Sequence, residues 1–322
     1  MATAVQVSIP TPITLGQYAQ TFEEGDINRV FVENMVKESD VMANVKFLPA
    51  IAGKRQFTDI GSVPTVSFRG LNNAGNTATG TLNLREEDTF FIDEYIQVDR
   101  AMIDRLGDAH RIRQVELKSI ALGQYFSQIF MKGDNTLTPK EPSGLQARCL
   151  MLGYNLMYNS TASGGAALSL ANLDQLFWLV NKPTHWVFPR GLMPFMEAAA
   201  RNNSLVNQTI DFAKDDFGRR IMKYKGLPIL FGYEPDDTPD LLPFTEVADG
   251  GGSAVTASIY LANLGDNGIY AIEQTSLTVR DEGQVPGVPL WSYHIKWDWG
   301  VAREHPRAVA RLSSITAATI TA

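Results

Sequence analysis

The feature that most constrains this sequence is one long helix, predicted from Asp108 to Lys132 and followed by Gly133. Asp108 is a residue type that favours the N-cap, and apolar side chains recur at helical spacing through the segment. The stripe comprises Ile112, Val115, Leu122, Phe126, Ile129 and Phe130. At 1.5 Å per residue the helix would span about 37 Å, whereas helices average roughly 11 to 12 residues. Such a length indicates a support that crosses a flat molecule.

The stretch from Lys54 to Asp99 is predicted to form a long β-hairpin. Its Thr, Val and Phe runs are interrupted by a Gly- and Asn-rich tip at residues 70–80 (GLNNAGNTATG). Many positions on both arms are polar, namely Gln56, Thr58, Thr65, Ser67, Arg69, Thr81, Asn83, Arg85, Glu86 and Glu87. The hairpin therefore cannot bury much surface in its own subunit. Because an isolated two-stranded ribbon is marginally stable in water, we expect it to lie against a partner.

The segments before and after these two elements predict a mixed α+β fold. Residues 1–20 carry Pro10 and Pro12 and no sustained period, which indicates an extended arm. A short helix is predicted from the N-cap Asp26 to about Ser39. Beyond a Pro-bounded turn near Pro142, short helices are predicted at 173–180 and 192–200, and strands at 185–188, 258–262, 277–280 and 291–302.

The last third of the chain also predicts paired strands. Residues 215–232 read as two strands joined by a turn at Lys225 and Gly226. His305 and Pro306 interrupt the final strand before a stretch that runs through Arg311. We therefore expect the chain to finish inside a sheet.

Charge and cysteine content exclude several classes of protein. The net charge is −7 and the pI is near 5.2, so no basic field attracts a polyanion and nucleic-acid readout is not expected. The single cysteine, Cys149, allows no intrachain disulfide, which is typical of a reducing compartment. Residues 1–10 lack a signal-peptide pattern, and no stretch approaches the roughly 20 apolar residues of a membrane span. We expect a soluble protein made in the cytoplasm.

Residues that often carry catalysis or bind metals are scattered through the chain. His110, His185, His294 and His305 stand singly, and only Glu304 lies beside one of them. This spacing does not favour metal ligation. The chain also lacks a G-x-S-x-G elbow, a phosphate-binding G-x-x-x-x-G-K-[ST] loop and a G-x-G-x-x-G fingerprint. We expect no enzymatic activity, no metal and no cofactor.

Three further candidates have a structural interpretation that outweighs the functional one. Cys149 lies in the apolar sequence Ala-Arg-Cys-Leu-Met, which favours an inert buried thiol over a nucleophile. The acidic cluster at 234–240 (EPDDTPD) could bind calcium, but its two prolines favour a surface turn. The aromatic side chains of the final strand alternate at period two, which favours one core-facing side over a ligand cage. They are Trp291, Tyr293, Trp297 and Trp299.

The order of these parts resembles the tailed-bacteriophage major capsid proteins of the Hong Kong 97-type fold. In that family an N-terminal arm, an extended hairpin, a long spine helix, a central α/β region and a terminal strand pair follow one another. The local pieces that carry the resemblance are Asp216, Phe217 and Gly218, then Tyr224, Gly226, Leu227, Pro228 and Ile229, and the ending SYHIKWDWGVAREHPRAVARL at 292–312.

The resemblance implies both a division into domains and a function. It implies an N-terminal arm and short helix at 1–53 and an extended loop over an adjacent subunit at 54–98. It further implies a peripheral domain with the spine helix at 99–145 and 269–322, and an axial domain at 146–268. The implied function is a major capsid protein that assembles as pentamers and hexamers into an icosahedral shell around double-stranded DNA. This places the protein in the virion capsid, assembled in the bacterial host cytoplasm.

The resemblance also implies partner proteins. Two departures from the family pattern change what is expected of crosslinking and scaffolding. A portal protein and possibly a decoration protein are expected, with DNA contacted only non-specifically and no membrane. Some relatives crosslink a lysine of the extended loop to an asparagine of a neighbour's loop, but no lysine occurs between Lys54 and Lys118, and residues 283–289 lack asparagine. We therefore predict a shell without crosslinks. The chain lacks the charge-rich helical extension of other relatives, which favours a separate scaffolding protein.

Charged residues of the hairpin and of the chain near residue 305 are the predicted inter-subunit contacts. They are Arg69, Arg85, Glu86, Glu87, Asp88, Arg303, Glu304 and Arg307. Each exposed pair would contribute only about 0 to 1 kcal/mol, so any effect depends on repetition across many copies. A plain solvated face is an equally good interpretation. Two other functions stay open: a decoration or tail-tube protein of the virion, and an enzyme whose site carries no recognisable motif.

Overall fold

The computed structural model describes residues 12–23, 26–152, 155–201, 210–214, 220–231, 240–265 and 267–321. Its α-helices are α1 (Leu15–Ala19), α2 (Ile27–Glu38), α3 (Asp40–Asn44), α4 (Arg100–Leu106), α5 (Asp108–Lys132), α6 (Leu145–Leu152), α7 (Leu170–Leu179) and α8 (Met193–Ala200). A 3₁₀ turn at Arg190–Leu192 precedes α8. Across the described ranges, no helix combines the length and apolar character needed to cross a membrane.

The strands pair into two large sheets and one separate ribbon within the described ranges. They are β1 (Ile13–Thr14), β2 (Lys46–Pro49), β3 (Lys54–Ser62), β4 (Thr81–Asp88), β5 (Phe90–Asp99), β6 (Leu156–Tyr158), β7 (Ala166–Ser169), β8 (His185–Val187), β9 (Ile210–Lys214), β10 (Arg220–Tyr224), β11 (Leu227–Leu230), β12 (Glu246–Val247), β13 (Ala254–Ala262), β14 (Ile269–Gln284), β15 (Leu290–Arg303) and β16 (Val309–Thr321). The first sheet has the order β1-β2-β14-β15-β5, and β3 pairs only with β4. The second runs β6-β16-β13-β8-β11-β10-β9, with β7 on β16 and β12 on β13.

Helix α5 confirms the predicted long helix, with one correction at its start. Asp108 is the first helical residue, and Gly107 holds the N-cap position without a side-chain hydrogen bond. The Asp108 carboxylate still lies in the first turn, where the helix dipole favours a negative charge. Ile112, predicted as part of the buried stripe, is exposed, so burial begins at Val115.

The first core lies between α5 and one face of β15. Phe126 on α5 contacts Trp297 and Trp299, with ring centroids 5.5 and 4.4 Å apart. Tyr293 is also buried on this face of the strand. The predicted period-two pattern is therefore confirmed, and these rings are core residues rather than a ligand cage.

Helix α2 packs across α5 at a point of close backbone approach. The predicted N-cap is confirmed, because Asp26 Oδ1 accepts a hydrogen bond of 2.9 Å from the backbone N–H of Asn28. A Cβ at Gly123 of α5 would lie 2.9 Å from the Met35 carbonyl oxygen, so only glycine fits this contact. Beside it, Ser127 Oγ donates a hydrogen bond of 2.6 Å to Ser39 Oγ. These contacts set where the two helices cross.

The second core lies on the nine-stranded sheet. Strand β16 pairs in antiparallel fashion with β13 and in parallel with β6 and β7, so the chain does finish inside a sheet as predicted. Trp186, Tyr224 and Leu312 are among the fully buried side chains of this core. The predicted turn at Lys225 and Gly226 joins β10 to β11. Because β14 and β16 belong to different sheets, the predicted peripheral segment 269–322 spans both.

The ribbon of β3 and β4 is shorter than the predicted hairpin. The register runs from Lys54 opposite Asp88 to Ser62 opposite Thr81, and residues 63–80 form the connection without further strand. Residues 90–99, predicted as the end of the hairpin, instead form β5, which pairs with β15 over ten positions. The physical reason is burial, since Ile96 and Val98 belong to the first core.

Candidate inter-subunit surfaces

The connection of the ribbon carries the most exposed apolar side chains of the described residues. Val66, Phe68 and Leu71 are 94%, 109% and 95% exposed, which means that nothing in the subunit covers them. Leu82 and Leu84 on β4 are also mostly exposed. Burying apolar surface stabilises an association by roughly 25 cal/mol per Å², and exposed apolar clusters mark interaction sites. The ribbon is therefore a surface suited to binding another protein.

The base of the ribbon carries charged side chains that pair within the ribbon itself. Lys54 Nζ lies 3.1 Å from Glu86 Oε2 and 3.6 Å from Asp88 Oδ1. Gln56 Nε2 donates a second hydrogen bond to Glu86 Oε1, at 2.6 Å. The hydrogen bond from Lys54 lowers the pKa of Glu86, and the same contact raises the pKa of Lys54. Both groups stay charged and solvated at neutral pH, so they remain available to a neighbour.

Glu87 has a different role, because it joins the ribbon to its own subunit. Its two carboxylate oxygens accept hydrogen bonds of 2.6 and 2.9 Å from the guanidinium of Arg148, a side chain that is only 7% exposed. Arg148 also donates to the carbonyl oxygens of Val301 and Ser143, at 2.7 and 2.8 Å. Removing one partner of a fully buried charge pair costs about 3 to 5 kcal/mol, and the partial exposure of Glu87 makes the cost smaller here.

A close backbone contact holds the same base. The Asp88 carbonyl oxygen lies where a Cβ at Gly300 would be, at 2.3 Å, so β4 approaches β15 only because this residue is glycine. Thr89 N–H donates a hydrogen bond of 2.9 Å to the Gly53 carbonyl oxygen, which closes the two arms of the ribbon. Sequence reasoning missed this base, since Arg148 is 61 residues from Glu87.

The remaining predicted contact residues divide between exposed and buried positions. Arg69 lies in the exposed connection and Arg85 on the exposed strand β4. Arg303 is buried at the end of β15, whereas Arg307 is exposed in the turn that follows. Glu304 is partly buried, and its N–H donates to the Gly268 carbonyl oxygen. The inter-subunit role of these residues stays a prediction, but a contact through Arg303 depends on an exposure that this subunit does not have.

A polar cluster around His294 was not foreseen. His294 Nε2 lies 2.6 Å from Asp93 Oδ1, Nδ1 lies 3.4 Å from Glu282 Oε1, and the ring stacks on Tyr95 at 4.6 Å. The carboxylates come from β5 and β14, the two strands that flank β15, so spacing along the chain could not reveal them. The two ring nitrogens face different carboxylates, so the three groups are arranged for hydrogen bonding and do not converge on one point as chelating ligands would.

The other candidates for catalysis or metal binding have contacts that indicate a structural role. Cys149 is buried, and burial raises the pKa of its thiol to about 12, which agrees with the predicted inert thiol. Burial also lowers the pKa of His185 to about 4, so this side chain is neutral at pH 7. Of the acidic cluster at 234–240 only Asp240 lies in the described residues, and it accepts hydrogen bonds from the N–H groups of Arg190 and Leu242. Asp216, Phe217 and Gly218 lie outside them.

Comparison with protein families gives one match. A family model described as major capsid protein GP7 matches residues 23–193, just over half of the 322-residue chain. No curated protein matches the sequence.

Comparison with solved structures gives several matches that cover most of the chain. The chain is similar to the holo-SrpI encapsulin complex of Synechococcus elongatus, with a TM-score of 0.60 and 16% identity over 86% of this chain and 88% of that one. It is similar to a chain of Mycobacterium phage Bobi, with a TM-score of 0.58 and 12% identity over 86% and 90%. For Microbacterium phage Oxtober96 the TM-score is 0.57, with 14% identity over 97% and 95%. At these identities the likeness establishes a shared fold.

Proposed function

The chain belongs to the family of major capsid protein GP7, and from that premise we propose that its copies assemble as pentamers and hexamers into an icosahedral shell around double-stranded DNA. The predicted Hong Kong 97-type fold and the predicted role as a bacteriophage major capsid protein are confirmed. The family is one of structural proteins. The icosahedral symmetry of the shell, its enclosed double-stranded DNA and the assignment to a tailed phage are parts of this proposal.

The single observation that carries the proposal is the exposure of the ribbon. It projects from the subunit with apolar side chains that have no cover, and it is held at its base by the pair of Glu87 and Arg148. A protein that acts as a monomer has no use for such a surface, which lowers its solubility. In a shell, each ribbon would lie over a neighbouring subunit and bury this surface.

The inter-subunit contacts that we propose use exposed charges and leave out Glu87, which pairs with Arg148 in its own subunit. Arg69, Arg85, Glu86, Asp88 and Arg307 are the candidates for pairs between copies, because their positions are exposed. Each pair would contribute about 0 to 1 kcal/mol, and the sum over many copies would be large. The closed symmetry of a shell supplies that repetition. The division at 54–98, 146–268 and 269–322 into loop, axial and peripheral regions is part of this proposal.

The proposed partners come from the resemblance to phage capsid proteins. We propose a separate scaffolding protein, a portal protein and possibly a decoration protein, with assembly in the host cytoplasm. The net charge of −7 supports only non-specific contact with the packaged DNA.

Covalent linkage between copies is not part of the proposal. No lysine occurs between Lys54 and Lys118, so the ribbon connection has no amine for an isopeptide bond, and the one lysine of the ribbon, Lys54 at its base, is paired with Glu86 and Asp88. Purified particles boiled in SDS should therefore release a single band near the 35.5 kDa of the monomer. A ladder of covalent oligomers under reducing conditions would contradict this part of the proposal.

The test of the whole proposal is negative-stain electron microscopy of the recombinant protein, expressed alone and with the neighbouring phage genes. Shells, capsomers or tubes of polymerised subunits are the expected result, and they would allow the lattice to be counted. A monodisperse monomer under both conditions would count against a shell protein and in favour of the alternative functions.

A further inference from the structure

A buried carboxyl group lies in the first sheet where β14 loses its regular register. The pairing of β14 with β15 shifts between Glu273 and Thr275 and again before Thr278. Glu273 Oε1 accepts a hydrogen bond of 3.0 Å from Ser276 Oγ. Its other oxygen, Oε2, is buried and has no hydrogen-bond partner among the described residues, and the same holds for Trp297 Nε1. An ionised carboxylate in this place lacks the donors that would stabilise its charge.

The elements packed around Glu273 supply no counter-charge to it. On α2, Arg29 is paired with Glu33 at 2.9 Å, and Asp26 at the N-cap adds a second negative charge. On β2, Lys46 lies on the face of the strand that is turned away from the first core. The buried side chains of α5 are all uncharged. Burial therefore raises the pKa of the Glu273 carboxyl and outweighs the opposing effect of its two neutral neighbours.

Helix α1 reaches this carboxyl through Tyr18. The Tyr18 hydroxyl donates to the Leu277 carbonyl oxygen at 3.5 Å. Burial raises the pKa of Tyr18, and the nearby charge of Glu273 adds to the rise. The helix has five residues, of which Leu15 and Ala19 are buried. So short a helix is held by packing alone, and it is the element over Glu273 that water can displace at the lowest cost.

We propose that Glu273 is a protonated acid in the folded subunit and that its ionisation releases α1 from the first core. Because the raised pKa belongs to the closed form, closure is favoured below the ordinary pKa of glutamate and is lost as the pH rises through the pKa of the closed form. A tenfold difference in proton affinity between the two forms makes opening about tenfold more frequent once the group is ionised. Release exposes Leu15 and Ala19, so a rise in pH gives the subunit a new apolar surface.

The test is hydrogen–deuterium exchange of the unassembled subunit, read by mass spectrometry on peptides that contain α1. Glu273→Gln replaces the carboxyl by a neutral amide of the same shape, so at any one pH the two proteins differ only in the charge of this group. At pH 9 the amides of α1 should exchange about tenfold faster in the unmodified chain, and the ratio should fall towards one at pH 5. Equal exchange of α1 in both proteins at every pH would overturn the inference.

The matched control is Glu282→Gln, which removes an exposed carboxylate from the same strand. Exchange of α1 should be the same in this variant as in the unmodified chain. The amides of α2 and β16 should exchange alike in all three proteins, because the opening is local. If α2 and β16 opened together with α1 at high pH, the whole subunit would be unfolding and the latch would be contradicted.

A second measurement keeps the inference testable if Glu273→Gln does not fold. In the unmodified chain, the exchange of α1 relative to that of α2 should increase as the pH rises from 5 to 9. Leu15→Ala weakens the packing of α1 without changing Glu273, so it should speed the exchange of α1 at pH 5 as well. A ratio that does not change with pH in the unmodified chain would overturn the latch. The latch belongs to the single subunit, so this result would leave the shell function intact.

Discussion

The long helix with its sheet and the ribbon are two regions of one chain that use apolar side chains in opposite ways. On α5 and β15, Phe126, Trp297 and Trp299 are packed against one another inside the subunit. On the ribbon, Val66 and Phe68 point into solvent. The first region makes a subunit that is stable alone, whereas the apolar surface of the second stabilises only an association. Substitutions should therefore separate subunit stability from assembly.

The largest effect on subunit stability is expected in the first core. Phe126→Ala should lower the free energy of unfolding by about 3 to 5 kcal/mol, because it leaves a cavity beside Trp297 and Trp299. Denaturant unfolding of the unassembled subunit measures this loss. Leu117→Ala is the control on the exposed side of the same helix, and a change within about 0.5 kcal/mol is expected there. Equal losses of unfolding free energy in both variants would mean that the packed side of α5 stabilises the subunit no more than its exposed side.

A pH-dependent effect is expected in the second core. Burial lowers the pKa of His185 from 6.5 to about 4, so between these values the unfolded chain binds a proton that the folded chain does not. Stability should therefore fall as the pH drops from 6.5 towards 4, by at most about 3 kcal/mol. Unfolding curves of His185→Asn should lack this pH-dependent loss. At pH 8 the difference between the two proteins reports packing alone, and an unchanged slope below pH 6.5 would contradict the assignment.

An intermediate effect is expected where the ribbon joins the subunit. Glu87→Gln should reduce stability by about 1 to 3 kcal/mol, less than for a fully buried pair because Glu87 is partly exposed. Glu86→Gln is the neighbouring control, and no measurable change is expected because its contacts lie in solvent. Thermal unfolding of both variants is the measurement. If Glu86→Gln were the more damaging of the two, the role of Glu87 at the ribbon base would be wrong.

The smallest effect on the subunit should accompany the largest effect on assembly. The double variant Val66→Ser and Phe68→Ser should leave the free energy of unfolding within about 0.5 kcal/mol, since both side chains are exposed. Electron microscopy of the same preparation should show few or no shells. A variant that assembles normally would mean that the apolar side chains of the ribbon connection contribute nothing to the contacts between copies.

Patterns of short range were read correctly from the sequence, and contacts of long range were not. The extent of α5, the alternation of β15 and the N-cap at Asp26 depend on neighbours a few residues away, and all were predicted. Four predictions were wrong: the N-cap of α5, the burial of Ile112, the end of the hairpin, and the extended arm at 1–20, since residues 15–19 form α1 with Leu15 and Ala19 buried in the first core. Each depends on the elements that lie beside the segment in the fold, and a boundary is where local preference decides least.

The sequence by itself determined the parts of this protein: a long helix, a polar ribbon with a Gly- and Asn-rich connection, an aromatic strand and a single inert cysteine. Periodicity, turn residues and composition are local properties, so they can be read without knowing the fold. Only the tertiary structure decided that Arg148 forms an ion pair with Glu87, that β5 pairs with β15 in the first sheet and not with the ribbon, and that β16 lies in the second sheet. These outcomes depend on packing between segments far apart in the chain. The free energy of that packing depends on which segments become neighbours, and the local preferences of a segment do not determine this.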